Sequence, residues 1–593
     1  MMKLKIDLFK RTNHQDLAKK PQRINNLPLN LRMLPLKRLA ITKGFAKGFQ
    51  SSLLWSATVT SLSLASILSS FVATPGLAAE KLILRLGPFQ QSVNVADLDS
   101  FAKTGQLSTS LRPYSALLTP QVQQLLTKRL QVDPSIANKF IDDLLRAPEG
   151  NQLIKQIRVA IPDSTVTQVR IALALALRQA NGLSAISFLR AYPDDQITVD
   201  LSSAIAIALE INVPFIQSQS VTSLLESSLT VPSTSFSASF NPASPGKERI
   251  NKRTITLQDA KRNRTIPVDI YWDQSSSGPL VVISHGFAAN RESLAYLARH
   301  LASQVLSVAA LDHPDSNFTT LPAASIRSKL TTGGVTGSLL PGSEFIDRPK
   351  DISFLLDQLA SLNQQPGSLQ GKLNTQQVSV IGHSLGGYTA LAVAGGELHI
   401  DELRSFCQER SLFSKSGGDW LQCAAADLPQ SRLQLQDKRV VQAIALNPVI
   451  GQLFGKTGLA KVNIPTLIWT STGDALTPTL SHQLRPFSQL GGSKYLVTAI
   501  GGTHLSLSDP DNLNPQLAQT TLVREITGKE AEPMRQLLKG VSLAFIKQLT
   551  PEATNYQQFL TSGYAQSLST PGLGLRLNTT LPANLNAFVE FAQ

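Results

Sequence analysis

Ser384 stands in Gly-His-Ser-Leu-Gly, inside the stretch VSVIGHSLGGYTAL (378–391). An apolar, β-branched run stops at the first of these glycines, and a helix-compatible run follows the serine. One serine set between glycines at such a junction suits a sharp strand–turn–helix that lifts a hydroxyl into the open, where it can attack a carbonyl carbon. Gly382 and Gly386 fall where the strand and helix backbones come too close for a side chain. A serine at a helix N-terminus is also well placed for developing negative charge. The plain alternative is a turn that happens to contain serine, and the rest of the chain must decide.

A hydroxyl is a weak nucleophile and needs an adjacent base. In the α/β-hydrolases, which this strand–elbow–helix resembles, the partners follow the serine along the chain, first an acid and then a histidine. His399, His482 and His504 come after Ser384. No strand-end acid precedes His399. His482 follows the best acid closely, in TLSHQLRPF, which reads as a helix. His504 stands in GGTHLSL, a glycine-rich loop directly after the apolar strand KYLVTAI, and is the candidate base. Asp474, in PTLIWTSTGDALTP, lies just past the end of the preceding strand and is the candidate acid. Its task would be to hold the imidazole in one tautomer and stabilise the imidazolium. Asp437 and Asp419 are second choices, since neither follows a strand. Two backbone N–H groups are needed for the oxyanion. Leu385, next after the serine, and Phe287, in the loop after SHG, are the candidates. His285 reads as a structural residue of that loop, and His383 is expected to point into packing, away from the serine. His313, in LDHPDSN, is open to two readings, a substrate contact or a residue that fixes a turn. No HExxH or comparable spacing is present, so no catalytic metal and no cofactor are expected.

These residues need a scaffold that brings distant strand ends together. From residue 248 to about 550 strands and helices alternate. The strands are TITL, IPVDIYW, 280–286, 305–312, 378–383, 440–448, 466–472 and 494–500. Helices are expected at 291–303, 351–362, 388–394 and near 532–549. Near-continuous apolar strands alternating with helices predict an α/β fold, a mostly parallel sheet covered on both faces. An insertion at 396–437 and an irregular C-terminal tail at 551–593 complete this part.

Before it, residues 80–215 read as a small, mostly helical domain. KLILRLGP is expected to pair with QSVNV as short strands, and TPQVQQLLTKRL and DPSIANKFIDDLLRA open with Thr-Pro and Asp-Pro caps. Residues 216–247, rich in Ser and Pro, read as a linker or surface-crossing segment. Residues 1–79 carry +10 of the chain's net charge of +14. The basic excess therefore belongs to the leader, and no nucleic-acid partner is expected for the body. A basic stretch, then the uncharged run 51–79, then small residues before Glu80, predict a signal peptide and a periplasmic or secreted protein. An N-terminal membrane anchor is the alternative, and Met33 would give a leader of ordinary length. Cys407 and Cys423 are the only cysteines. In an exported chain they could be bridged, and two buried thiols are the alternative.

LVVISHGFAANRESLAYLARHLAS, LDHPDSN, IDRPKDISFLLDQL, VIGHSLGGYTAL, IPTLIWTSTGDALTP and GGTHLSL resemble the platelet-activating-factor-acetylhydrolase-like and dienelactone-hydrolase-like branch of the α/β-hydrolases. The resemblance covers about 250–510. Serine stands here where the small dienelactone hydrolases carry cysteine, and the insertion 396–437 is a further departure. The leader with 80–215 resembles an uncharacterised module attached to such hydrolases in cyanobacteria. The resemblance implies an exported serine esterase or lipase-like hydrolase with Ser384, Asp474 and His504 as its triad. Small-molecule or lipid esters would be its substrates, and association with the cell envelope is compatible with the leader. Loop 319–345 and the insertion could contact substrate, and Leu339, Leu340, Phe345 and Phe413 would suit acyl chains, with ordinary packing as the equal alternative. An inactive binding scaffold, or peptidase, thioesterase or acyltransferase chemistry, is the alternative.

Overall fold

The computed structural model describes residues 79–591, apart from 130–153, 205–212, 318–339, 409–414, 514–523 and some shorter breaks. The leader, the helix expected at 133–147, Leu339 and Phe413 lie outside the described residues.

The N-terminal part contains a small sheet as well as helices. Strands β1 (Lys81–Leu86) and β2 (Phe89–Asn94) form the expected antiparallel pair. A third strand, β3 (Gln196–Asp200), runs parallel to β1 with Leu82 opposite Ile197. QITVD carries the β-branched residues of a strand but falls in a region whose neighbours are helical, so its pattern was hidden among theirs. Helices Val95–Thr104, Pro120–Thr127, Val166–Arg178 and Ala185–Arg190 belong to the same part, and their apolar residues share one core with Leu82, Leu84 and Val93.

The large sheet begins with β4 (Asn251–Asp259), β5 (Arg264–Trp272), β6 (Pro279–Ser284), β7 (Ser307–Leu311) and β8 (Asn374–His383). The insertion adds a separate pair, β9 (Glu397–His399) with β10 (Arg432–Gln434). The sheet then continues with β11 (Val440–Leu446), β12 (Thr466–Ser471), β13 (Lys494–Ile500) and β14 (Gly574–Asn578), in the order β14-β13-β12-β11-β8-β6-β7-β5-β4. The strands from β7 through β13 are parallel, with antiparallel β5 and β4 at one edge and antiparallel β14 at the other.

Alternation along the buried strands feeds two faces. Ile444, Leu446, Leu467 and Trp469 pack with helices Ala295–Ser303 and Glu532–Lys547. Ala443, Ala445 and Ile468 pack toward helix Leu385–Val393 on the other side. Chain order reverses at β6 and β8, which lie side by side with Ser284 opposite Gly382. Clefts at the carboxyl ends of strands open at such a reversal. The loop after β6 and the turn after β8 therefore meet there.

Two boundaries differ from the expected ones. Helices Val213–Ser220 and Thr222–Leu229 occupy the first half of the expected linker. Val221, Leu225 and Leu229 recur every four residues, and all three are buried in the core that holds Leu385 and Ala392. The tail after 551 is regular: β14 extends the sheet beside β13, and helix Ala583–Phe591 buries Leu585 and Val589 in that same core. A short strand containing glycine, with a partner far back in the chain, shows no period of its own.

Candidate active site

Ser384 follows β8 directly and caps the next helix with φ 57° and ψ −118°, in the left-handed half of backbone space that a residue with a side chain rarely occupies. The surrounding glycines make this possible. A Cβ on Gly382 would lie 1.9 Å from the Gly386 carbonyl oxygen, and one on Gly386 would lie 2.0 Å from that of Ser284. The elbow is held from below by the Ser384 N–H, which donates to the Leu446 carbonyl of β11 at 2.8 Å.

His504 follows β13. Its Nδ1 lies 2.6 Å from Asp474 Oδ2, and Asp474 follows β12. Asp474 is fully buried and also accepts from the Leu476 and Thr477 N–H groups and the Thr477 hydroxyl, at 2.9, 2.7 and 2.7 Å. Four donors thus satisfy this buried carboxyl. Burial opposes a charge on His504, but Asp474 and the more remote Glu525 outweigh it and hold the imidazole above its ordinary value. Ser384 and His504 line the same cavity of about 230 Å³. Its apolar wall includes Phe287, Leu421, Val449, Leu476, Leu505 and Leu513. Polar groups converge at Asn290, Ser293, Ser508 and Asn512.

The loop after β6 comes up against the serine. A Cβ on Gly286 would lie 3.1 Å from Ser384 Cβ. The Ala288 and Ala289 N–H groups are used by the Ser316 and Gly286 carbonyls, while the Phe287 N–H makes no backbone bond among the described residues. Leu385 opens its helix, so its N–H has no acceptor within the helix. Among the described residues neither amide has a backbone acceptor, as a donor to an oxyanion must not.

His313 does not line this cavity, and its bonds fit the turn-fixing reading. It is fully buried, absent from the cavity wall, and bonded through Nε2 to Ser284 Oγ and through Nδ1 to Asp351 Oδ2, each at 2.9 Å. Its N–H donates to His285 Nε2 at 3.0 Å, and His285 Nδ1 donates to the Gly286 carbonyl at 2.6 Å. Arg348 donates to the His285 carbonyl and to Ser316 Oγ. Burial first, then Arg348, hold both imidazoles well below their ordinary values, so both are neutral. The group fixes the turn that presents Phe287. Leu340 and Phe345 are core residues for the same reason of burial.

Another Ser/His/Asp grouping surrounds His482. Its Nε2 faces both Asp419 at 3.1 Å and Ser416 at 3.3 Å, while Nδ1 accepts from the Ile450 and Gly451 N–H groups. Both ring nitrogens therefore already have partners. Asp437 is paired with Arg439, and His399 sits between Glu397 and Glu402.

Some site residues had no signal in the sequence. His383 lines the cavity, and its Nε2 donates to the His504 carbonyl at 2.9 Å instead of pointing into packing. Burial, with His504 adding to it, pushes its pKa down to about 3. The insertion supplies Gly417, Gly418 and Leu421 to the wall, and the Gly418 N–H donates to the Leu476 carbonyl at 2.7 Å. Cys407 and Cys423 are bridged, which settles the choice left open by sequence and ties the helix carrying Leu421 to the rest of the insertion.

Residues 78–200 match the family described as α/β hydrolase of unknown function (DUF1400), and residues 279–403 match the α/β hydrolase fold family. No curated protein matches the chain. With the sheet order above, the second match shows the α/β-hydrolase fold and supports a hydrolase. It spans Phe287 and Ser384 and ends before Asp474 and His504.

Proposed function

We propose that this chain is an exported serine hydrolase that cleaves carboxylic esters with an uncharged, apolar acyl group. The observation that carries this reading is the shared cavity of Ser384 and His504, with His504 Nδ1 held by buried Asp474. In the first half-reaction Ser384 Oγ attacks the ester carbonyl and its proton passes to His504. The oxyanion is held by the Leu385 and Phe287 N–H groups. Collapse expels the alcohol, which takes the proton from His504, and leaves an acyl-Ser384 ester. Water then gives a proton to His504 and its oxygen to the carbonyl carbon. A second collapse releases the carboxylic acid and restores the hydroxyl.

The substrate class follows from the wall. Among the described residues no Asp, Glu, Lys or Arg lines the cavity. Drug-sized ligands occupy about 300–1,000 Å³, so the smaller space here suits a single short acyl chain. The resemblance to platelet-activating-factor-acetylhydrolase-like enzymes agrees with an ester of this kind. Export is supported by the leader sequence and by the disulfide, which persists in an oxidising compartment. Among the described residues no helix is long and apolar enough to cross a membrane.

The test is hydrolysis of p-nitrophenyl esters from C2 to C16 by purified protein beside Ser384→Ala. Turnover that depends on Ser384 and peaks at short chains supports the reading. Equal inertness of both proteins toward every ester overturns it.

A further inference from the structure

The turn that carries His504 is fastened to a segment that takes no part in the steps above. Glu525 Oε2 accepts from the Leu505 N–H at 2.9 Å. The Ile526 N–H donates to Thr503 Oγ1 at 2.9 Å, and the Ile526 carbonyl accepts from Ser506 Oγ at 2.8 Å. Glu525 and Ile526 together therefore hold the residues on both sides of His504. Glu525 is buried, does not line the cavity, and makes no salt bridge among the described residues. Its neighbour Arg524 turns outward to Glu530. A buried carboxylate without a cationic partner is expensive, so its place here calls for a reason.

We propose that Glu525 is the positioning residue of His504: it anchors the turn from Thr503 to Ser506 and sets a second negative charge beside the imidazolium formed during catalysis. The charged groups facing His504 are then Asp474 on Nδ1 and Glu525 behind the turn. His383, whose ring centre lies 4.8 Å from that of His504, is neutral over the working range. Burial pushes Glu525 up to about 7, against the pull of Thr503, His504 and the Leu505 N–H. Each group supports the charged form of the other.

This inference rests on the esterase reading for its kinetic test and not for its spectroscopic one. Glu525→Gln keeps an acceptor for the Leu505 N–H and removes the charge. The rate requires neutral His504, so it falls as pH drops through the His504 pKa. Loss of a charge that supports the imidazolium lowers that pKa, and the acid limb of kcat/KM moves to lower pH. Glu525→Asp keeps the charge on a shorter arm. It is expected to leave the acid limb near its place and to lower kcat by about 10–100-fold, with KM within about twofold, because the turn is no longer held. Titration of the His504 ring by NMR reads the same downward shift in Glu525→Gln without substrate, so failure of ester hydrolysis does not remove the test. A His504 titration unchanged in Glu525→Gln would overturn the proposal, as would a Glu525→Asp variant with wild-type kcat.

Discussion

The Nε2 atom of His383, the residue directly before Ser384, donates to the carbonyl oxygen of His504 at 2.9 Å. Asn447, at the end of β11, donates to the same carbonyl at 3.3 Å. The base is thus tied through its backbone to the nucleophile's own elbow. His383→Ala is expected to keep the fold and lower kcat by about 100-fold, with little change in KM, because a misplacement of about 1 Å has that effect. Steady-state kinetics with a melting curve checks this. Unchanged kcat would mean that the bond holds nothing that matters to the reaction.

Asp474→Asn preserves shape but removes the charge on Nδ1 and favours the wrong tautomer. A fall of about 10⁴-fold in kcat is expected. Circular dichroism should match the wild type, which separates this loss from unfolding.

The pH dependence has a fixed sign. Asp474 and Glu525 hold the His504 imidazole above its ordinary value. The base must be neutral, so kcat/KM is expected to fall on the acid side with a midpoint above the ~6.5 of a free imidazole. A pH–rate profile from 5 to 9 reads this directly, and a midpoint below that value would contradict the electrostatic account.

The disulfide closes a separation of 16 residues around the helix that places Leu421 on the cavity wall. Cys407→Ser with Cys423→Ser is expected to lower stability by up to about 3 kcal/mol. Ester turnover should fall further than the melting temperature suggests, since the loosened wall belongs to the cavity. Thermal melts and kinetics with and without reductant measure both effects.

Helices Val213–Ser220 and Thr222–Leu229 serve the acid loop as well as the core. Ser218 Oγ accepts from the Leu480 N–H at 3.0 Å, and Gln219 donates to the Thr472 carbonyl, two residues before Asp474. Leu225→Ala is expected to destabilise the protein by about 2–5 kcal/mol. A chain begun at residue 213 should retain ester hydrolysis, while one begun at 231 should lose it. Equal activity of the two would show that these helices are a linker after all.

The parts legible in the sequence were those with a local signature. The alternating strands, the elbow around Ser384 and the positions of Asp474 and His504 at strand ends could each be read from a short window. What escaped depends on partners far along the chain. His383 finds its acceptor 121 residues away, and Glu525 acts through a backbone N–H 20 residues before it. β14 takes its meaning from β13, with Leu577 opposite Val497. The four-residue spacing of Val221, Leu225 and Leu229 was visible, but the surrounding serines disguised it as a linker. His313 stayed open between two readings, because a strand-end position does not say whether a side chain faces the cleft or the buried Ser284 and Asp351.

The central claim is that Ser384 is a hydroxyl activated by His504. Labelling with a fluorophosphonate, followed by peptide mapping, tests it without knowledge of the natural substrate. The account predicts one modified site, Ser384, in the folded wild type and strongly slowed labelling in His504→Ala. Folded wild-type protein that leaves Ser384 unlabelled, or a His504→Ala variant that labels at the wild-type rate, would contradict it.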